Sequence, residues 1–258
     1  MLLAVDIGNT NVVCAVYDDQ KQIALWRLPS DVKQDQAFYQ NRLTQLIDDS
    51  DKSIHLDGAI IASVVPALTP VLDGAIASVT GKRAMIVGSA DVDLGIVVNI
   101  DNPEQAGADR LVNAVGAQAA HGLPSIVLDF GTATTLDLVG ENGAYEGGII
   151  APGVNLSIEA LERAAAQLPR LEVRSWDADL PILGKNTIAA MESGVFWGYV
   201  CMVEGLLERL RRRYGATLPA IATGGLAPLF NGHVIGITTV DPDLTVRGLV
   251  EIYARNKG

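Results

Sequence analysis

Val5-Asp6-Ile7-Gly8-Asn9-Thr10-Asn11 and, 123 residues later, Leu128-Asp129-Phe130-Gly131-Thr132-Ala133-Thr134 share one construction. Each is an apolar run, an aspartate, a glycine and then small hydroxyl or amide residues. A second apolar run follows each, Val12 to Val16 after the first and Leu136 to Val139 after the second. The pattern predicts strand, tight turn, strand, with a carboxylate ending the first strand and glycine letting the backbone approach a ligand. Two such turns facing each other across a cleft would hold the phosphates of a nucleotide between them.

Working outward, each turn heads the same plan. Apolar stretches at about Leu2 to Val5, Asn11 to Tyr17 and Gln22 to Leu28 read as a meander, and Phe38, Leu43, Leu46 and Ile47 give the 3.6 period of a helix. Strands at Gly58 to Ala62 and Ala84 to Val87 enclose a helix from about Leu68 to Val79, and after a weakly patterned loop a helix runs through Leu111, Val112, Val115 and Ala119. The second half has strands at Ser125 to Leu128, Thr134 to Val139 and Ala144 to Ile150, helices at about Leu156 to Gln167 and Thr187 to Arg213, and a strand at Pro219 to Thr223. It carries one extra long helix. A last helix, Asp243 to Arg255 with Asp243 as N-cap, closes the chain. Gly122-Leu123-Pro124 marks the boundary, giving domains 1–121 and 122–258.

Composition narrows the partners. Of the 258 residues 49% are hydrophobic and 19% charged, the balance of a chain with an ample core. No apolar run reaches the ~20 residues of a membrane span, and Met1 leads straight into a strand, so neither a membrane anchor nor a leader is expected. The net charge of −11 repels nucleic acid and anionic membrane and points to a small molecule. A phosphate ligand must then be met by backbone N–H groups, a metal ion and local cations such as Arg110 or Lys185. Cys14 and Cys201 read as small core residues of a cytosolic protein, and His55, His121 and His233 are too scattered for a zinc site.

A lone aspartate before Ile-Gly-Asn-Thr is ordinary turn chemistry; its recurrence is not. A carboxylate on each side of a cleft can hold magnesium through water, with Gly8 to Asn11 offering donors to phosphate oxygens. Neither G-x-x-x-x-G-K-[ST] nor G-x-G-x-x-G occurs. Asp109, at a helix start, would by itself be a macrodipole partner, and Arg110 a surface residue. Thr187 would by itself be a helix N-cap, and Gly224-Gly225 a strand-to-helix turn. Arg209, Arg211, Arg212 and Arg213 suit a helix C-terminus, and Gly194, Gly198 and Gly205 in the long helix point to close helix packing.

The paired turns resemble the superfamily of actin, sugar kinases, acetate kinase and heat-shock chaperones, which clasp ATP between two ribonuclease-H-like domains. Within it, Asp6-Ile-Gly-Asn-Thr-Asn11, Ser63-Val-Val-Pro66, Gly107-Ala-Asp-Arg110, Asp129-Phe-Gly-Thr-Ala-Thr134, Gly147-Gly-Ile-Ile-Ala-Pro-Gly153, Gly184-Lys-Asn-Thr187 and Thr223-Gly-Gly225 together resemble type III pantothenate kinase. The resemblance implies an α/β fold of two tandem ribonuclease-H-like domains, mixed sheets flanked by helices, with the ATP cleft between them. It implies ATP-dependent phosphorylation of pantothenate to 4′-phosphopantothenate, the first step of coenzyme A biosynthesis, in a cytoplasmic homodimer. It assigns Asp109 as general base; Asp6, Ile7, Gly8, Asn9, Thr10, Asn11, Val12, Val13 and Thr132 to ATP; and Gly107, Ala108, Asp109, Arg110 and Thr187 to pantothenate. Asp6 goes to Mg2+ and Asp129 to a monovalent cation, K+ or NH4+. Ile100 departs from the tyrosine the family often has there, so the substrate pocket is expected to be lined differently. The alternatives are another small-molecule kinase or phosphohydrolase of the superfamily, or a non-catalytic nucleotide-binding regulator.

Overall fold

A computed structural model describes residues 1–50, 54–164, 171, 174–177 and 180–257. The chain opens with β1 (Leu2–Ile7), β2 (Asn11–Asp18), β3 (Lys21–Pro29), α1 (Gln36–Ser50), β4 (Gly58–Ser63), α2 (Thr69–Thr80) and β5 (Met85–Ile86). A 3-10 turn at Pro103–Gln105 precedes α3 (Ala108–His121). There follow β6 (Ser125–Phe130), β7 (Ala133–Val139), β8 (Tyr145–Pro152), α4 (Val154–Ala164), α5 (Thr187–Tyr214), β9 (Ala220–Thr223), α6 (Ala227–Phe230), β10 (Thr239–Val240) and α7 (Leu244–Asn256).

The strands form two sheets of one design. The first runs β3-β2-β1-β4-β5 and the second, in matching order, β8-β7-β6-β9-β10. In each, the meander is antiparallel and the next two strands add in parallel to its first strand. Two mixed sheets flanked by helices are as expected, but the second has a fifth strand, two-residue β10, beyond the four that the sequence predicts. The extra helix of the second half is also present, since α4 and α5 both lie between β8 and β9 where α1 alone separates β3 from β4. The expected end of α4 at Gln167 falls outside the described residues.

Contacts group Met1–Ala120 with Asp243–Gly258, and His121–Pro242 by itself. The division near residue 121 lies beside the one expected, but the closing helix belongs with the first unit rather than the second. The reason is its apolar face. Val246, Leu249, Val250 and Ile252 of α7 join Leu2, Ala4, Ile60, Ala62, Val112 and Val115 in a buried cluster. Backbone closeness then fixes α7 against α3: a Cβ on Gly248 would lie 2.1 Å from the Val112 carbonyl oxygen, and one on Gly116 2.4 Å from that of Leu244. Asp243 stands at the N-cap of α7, although its side chain makes no capping hydrogen bond.

In the first sheet alternation along β1 sorts the two faces. Leu3, Val5 and Ile7 face the cluster with α1 and α2 residues, whereas Leu2 and Ala4 face the cluster with α3 and α7. Asp6 continues the second series. In the second sheet Ile126, Leu128 and Phe130 face the core shared with α5, so Asp129 lies on the opposite face with Ser125 and Val127.

Gly194 and Gly198 of α5 have no atom of the described residues within 4 Å of a built Cβ, so the close packing expected of them is not made among those residues. One expectation fails on α5. Cys201, expected in the core, is exposed on the same helix, while Cys14 is buried. The arginines do act at the helix end: Arg211 donates from Nε to the Leu218 carbonyl at 2.9 Å and from a terminal nitrogen to that of Gly236 at 2.7 Å.

Candidate active site

The first turn is a hairpin built by the last β1–β2 pairs, Asp6 with Val13 and Ile7 with Val12. Four residues, Gly8 to Asn11, remain to turn the chain. The Gly8 N–H donates to the Asn11 carbonyl at 3.0 Å, and the Ser30 N–H ties the Thr10 carbonyl to the end of β3 at 3.1 Å. Asn9, Thr10 and Asn11 are exposed at the tip of this turn. Asp6 is half-buried at the strand end, and its charge is felt by the neighbouring thiol. Burial, with Asp6 adding, pushes Cys14 up to about 12. A half-buried carboxylate beside an exposed turn is a donor set that suits a hydrated divalent cation.

The second turn is one residue shorter. Phe130 pairs with Thr134 and Asp129 with Thr135, leaving Gly131, Thr132 and Ala133. The Gly131 N–H donates to the Ala133 carbonyl at 3.1 Å, and Thr132 is exposed at the tip. The two copies are therefore alike in sequence but unequal in geometry. Gly153, between β8 and α4, braces this turn from behind, for a Cβ there would sit 2.2 Å from the Thr132 carbonyl oxygen. That contact explains the closing glycine of the Gly147–Gly153 block, to which sequence reasoning attached no role. Below the turn the Thr134 hydroxyl is hydrogen-bonded to that of Tyr199. Burial raises the Tyr199 phenol to about 12, against the Thr134 hydrogen bond and with the Asp129 charge adding.

Gly224-Gly225 crosses the end of the same sheet. Gly224 has φ +91°, and a Cβ would lie 2.3 Å from Asp129 Oδ1 and 2.7 Å from the Phe130 carbonyl oxygen. Only glycine serves both needs. Gly225 has open space above it, as close approach by a ligand requires. Thr223, the preceding residue, is buried, and its hydroxyl has no hydrogen-bond partner among the described residues. The sequence reading quoted this threonine without a task for it.

In the first unit, Gly107, Ala108, Asp109 and Arg110 form the entry to α3, with Asp109 and Arg110 half-buried. The Arg110 and Leu111 N–H groups donate to the Gly107 carbonyl at 3.1 and 3.2 Å, and the Asp109 carboxylate folds back to accept from the Arg110 N–H at 2.8 Å. That pose puts Oδ1 only 2.5 Å from where a Gly107 Cβ would be, so the glycine of this block makes room for the aspartate. Ile100 lies half-buried in a bend of the preceding loop.

In the second unit, Gly184-Lys185-Asn186-Thr187 lines a hollow of about 720 Å³ together with Leu161, Ala190 and Gly194. Thr187 is exposed there as the first residue of α5. It is not the cap: Asn186 is, its side-chain oxygen accepting from the Ala189 N–H at 2.9 Å. Gly184 fits because a Cβ would meet the Ala190 nitrogen at 2.1 Å. The described residues contain no group of three or more His, Cys, Asp or Glu side chains able to hold a metal, and no helix long and apolar enough to cross a membrane.

The sequence model of the type III pantothenate kinase family matches residues 2–209. A type III pantothenate kinase from Rhodospirillum rubrum is 48% identical over 258 residues, covering 100% of this chain and 99% of the relative. One from Phenylobacterium zucineum is 44% identical with the same coverage. Among solved structures, the activator of 2-hydroxyisocaproyl-CoA dehydratase from Clostridium difficile with bound ADPNP has TM-score 0.55 at 10% identity, covering 99% of this chain and 95% of that one. The (R)-2-hydroxyglutaryl-CoA dehydratase component A from Acidaminococcus fermentans has TM-score 0.52 at 14% identity, covering 100% and 99%. These two structures share the fold of this chain.

Proposed function

The chain belongs to the type III pantothenate kinase family, and from that premise we infer that it transfers the γ-phosphoryl group of ATP to the primary hydroxyl of pantothenate, forming 4′-phosphopantothenate. This is the first step of coenzyme A biosynthesis. The observation that carries it is the family match over residues 2–209, inside which both glycine turns are hairpin ends with exposed tips.

Roles follow from chemistry. The β1–β2 turn, from Asp6 through Val13, receives ATP phosphates on its exposed polar tip, and Thr132 receives ATP at the other turn. Asp6 holds Mg2+ through water, which when bound neutralises charge on the phosphates. Asp129 holds a monovalent cation, K+ or NH4+. Gly107 to Arg110 are assigned to pantothenate, as is Thr187, and Arg110 suits its carboxylate. Asp109 takes the proton from the attacking hydroxyl as the oxygen approaches the γ-phosphorus in line. An ordinary carboxylate is adequate for this, because phosphoryl transfer is mostly positioning and charge stabilisation.

We assign the homodimer to the exposed face of α5, where Gly194 and Gly198 have no atom of the described residues against them. The two free cysteines fit a reducing cytosol. The test is direct: purified protein with Mg2+ and K+ or NH4+ should convert pantothenate and ATP to phosphopantothenate and ADP. ATP turnover indifferent to pantothenate would reject the reading in favour of a phosphohydrolase.

A further inference from the structure

We propose that Thr223 supplies a second side-chain oxygen to the monovalent cation held by Asp129; this rests on the cation reading of Asp129 above. Thr223 ends β9 with 1% of its surface exposed. Its Oγ1 is buried and without a hydrogen-bond partner among the described residues. A buried hydroxyl left unpaired is destabilising, and valine would fill the same volume without that cost. Something must use its lone pairs.

The ladder shows what lies beside it. Asp129 and Thr223 are direct partners in the parallel β6–β9 pairing, so their side chains leave the same face of the sheet. Gly224 keeps the space next to the carboxylate clear, since its absent Cβ would fall 2.3 Å from Asp129 Oδ1. A carboxylate, a neutral hydroxyl and the nearby Phe130 carbonyl are hard oxygen donors carrying a single negative charge. That set suits a hard monovalent cation such as K+. Other hydroxyls of this face are engaged or remote. Thr135, the partner of Asp129 on β7, donates to Asp137 at 2.9 Å. Ser125 also has an unpaired hydroxyl but lies four residues down β6, roughly 13 Å away at strand spacing.

The experiment is thermal unfolding of the full chain in KCl against choline chloride at equal ionic strength, with ADP titrated separately in choline. The wild type should gain a saturable rise in Tm with K+, and Asp129→Asn should lose it. Thr223→Val should weaken the half-saturating K+ concentration at least about tenfold, on the scale of altered metal surroundings. The same variant should melt roughly 2–4 °C higher in choline because the orphan hydroxyl is gone. Thr223→Ser should keep the K+ response. A wild-type K+ response in Thr223→Val overturns the assignment while leaving Asp129 in place. So does a Thr223→Val that loses its ADP response in choline, which would make the hydroxyl a nucleotide contact. No K+ response in the wild type removes the cation reading and Thr223 with it.

Discussion

Gly153→Ala tests whether the second turn is held for ATP from behind. The glycine is not in the left-handed region, so alanine is allowed by the backbone and the whole effect comes from contact. Its Cβ would stand 2.2 Å from the Thr132 carbonyl oxygen, about 1.2 Å inside the 3.4 Å where ordinary contact begins. Both sides are main chain, so no rotamer relieves it. Gly153 itself is anchored, since its carbonyl accepts from the Ser157 N–H at 2.9 Å and Pro152 pairs with Ala133. The exposed tip therefore gives way, carrying Thr132 by about an ångström. Misplacement on that scale costs up to about 10²-fold, or roughly 2.7 kcal/mol of transition-state binding. Overpacking should also lower stability by about 1–3 kcal/mol. Steady-state phosphopantothenate formation should show the KM for ATP raised tenfold or more with that for pantothenate within about twofold. Unchanged ATP kinetics in a folded variant would refute the bracing of Thr132 by Gly153.

Asp109→Asn should leave ADP binding intact while turnover falls about 10²–10⁴-fold, measured by calorimetry and product formation; undiminished turnover would remove Asp109 as base. Gly198→Ala should raise the helix's intrinsic stability by about 1 kcal/mol, because its Cβ meets no atom of the described residues, yet break a dimer packed on that face. Sedimentation equilibrium separates these, and an intact dimer would move the interface elsewhere. Gly248→Ala should instead lower the Tm, by overpacking against the Val112 carbonyl, and a rise would contradict the α3–α7 contact. Cys14 ionises at about 12 when folded against an ordinary 9.0. Between those values the unfolded chain has lost a proton that the folded one keeps, so stability should fall by up to about 1.4 kcal/mol per pH unit; Cys14→Ala should flatten that fall in pH-dependent denaturant melts.

Much of the fold was legible because the repeat carried period-two alternation and turn glycines together, signals local to a few residues. The Asp6 and Asp129 hairpins needed nothing else. What escaped depends on distant partners. The closing helix reads the same wherever it docks, and it takes contacts such as that of Gly116 with Gly248, across 132 positions, to reveal that it packs on α3. Gly194 and Gly198 of α5 look like Gly248 of α7 in sequence, yet among the described residues the first two meet nothing and the third a carbonyl. The one-residue difference between the turns is likewise a matter of register: a shared Asp-x-Gly pattern does not state which residues pair. Asp109 and Thr187 were proposed through motifs, whereas the unpaired Thr223 hydroxyl could emerge only once its neighbours were known.

The most direct measurement is phosphopantothenate formation by the purified chain with ATP and Mg2+, with K+ or NH4+ present or replaced by choline. The account predicts stoichiometric phosphopantothenate and ADP, with turnover that depends on pantothenate and on the monovalent cation. ADP released at the same rate without pantothenate, or no phosphorylated product with any cation, would contradict it.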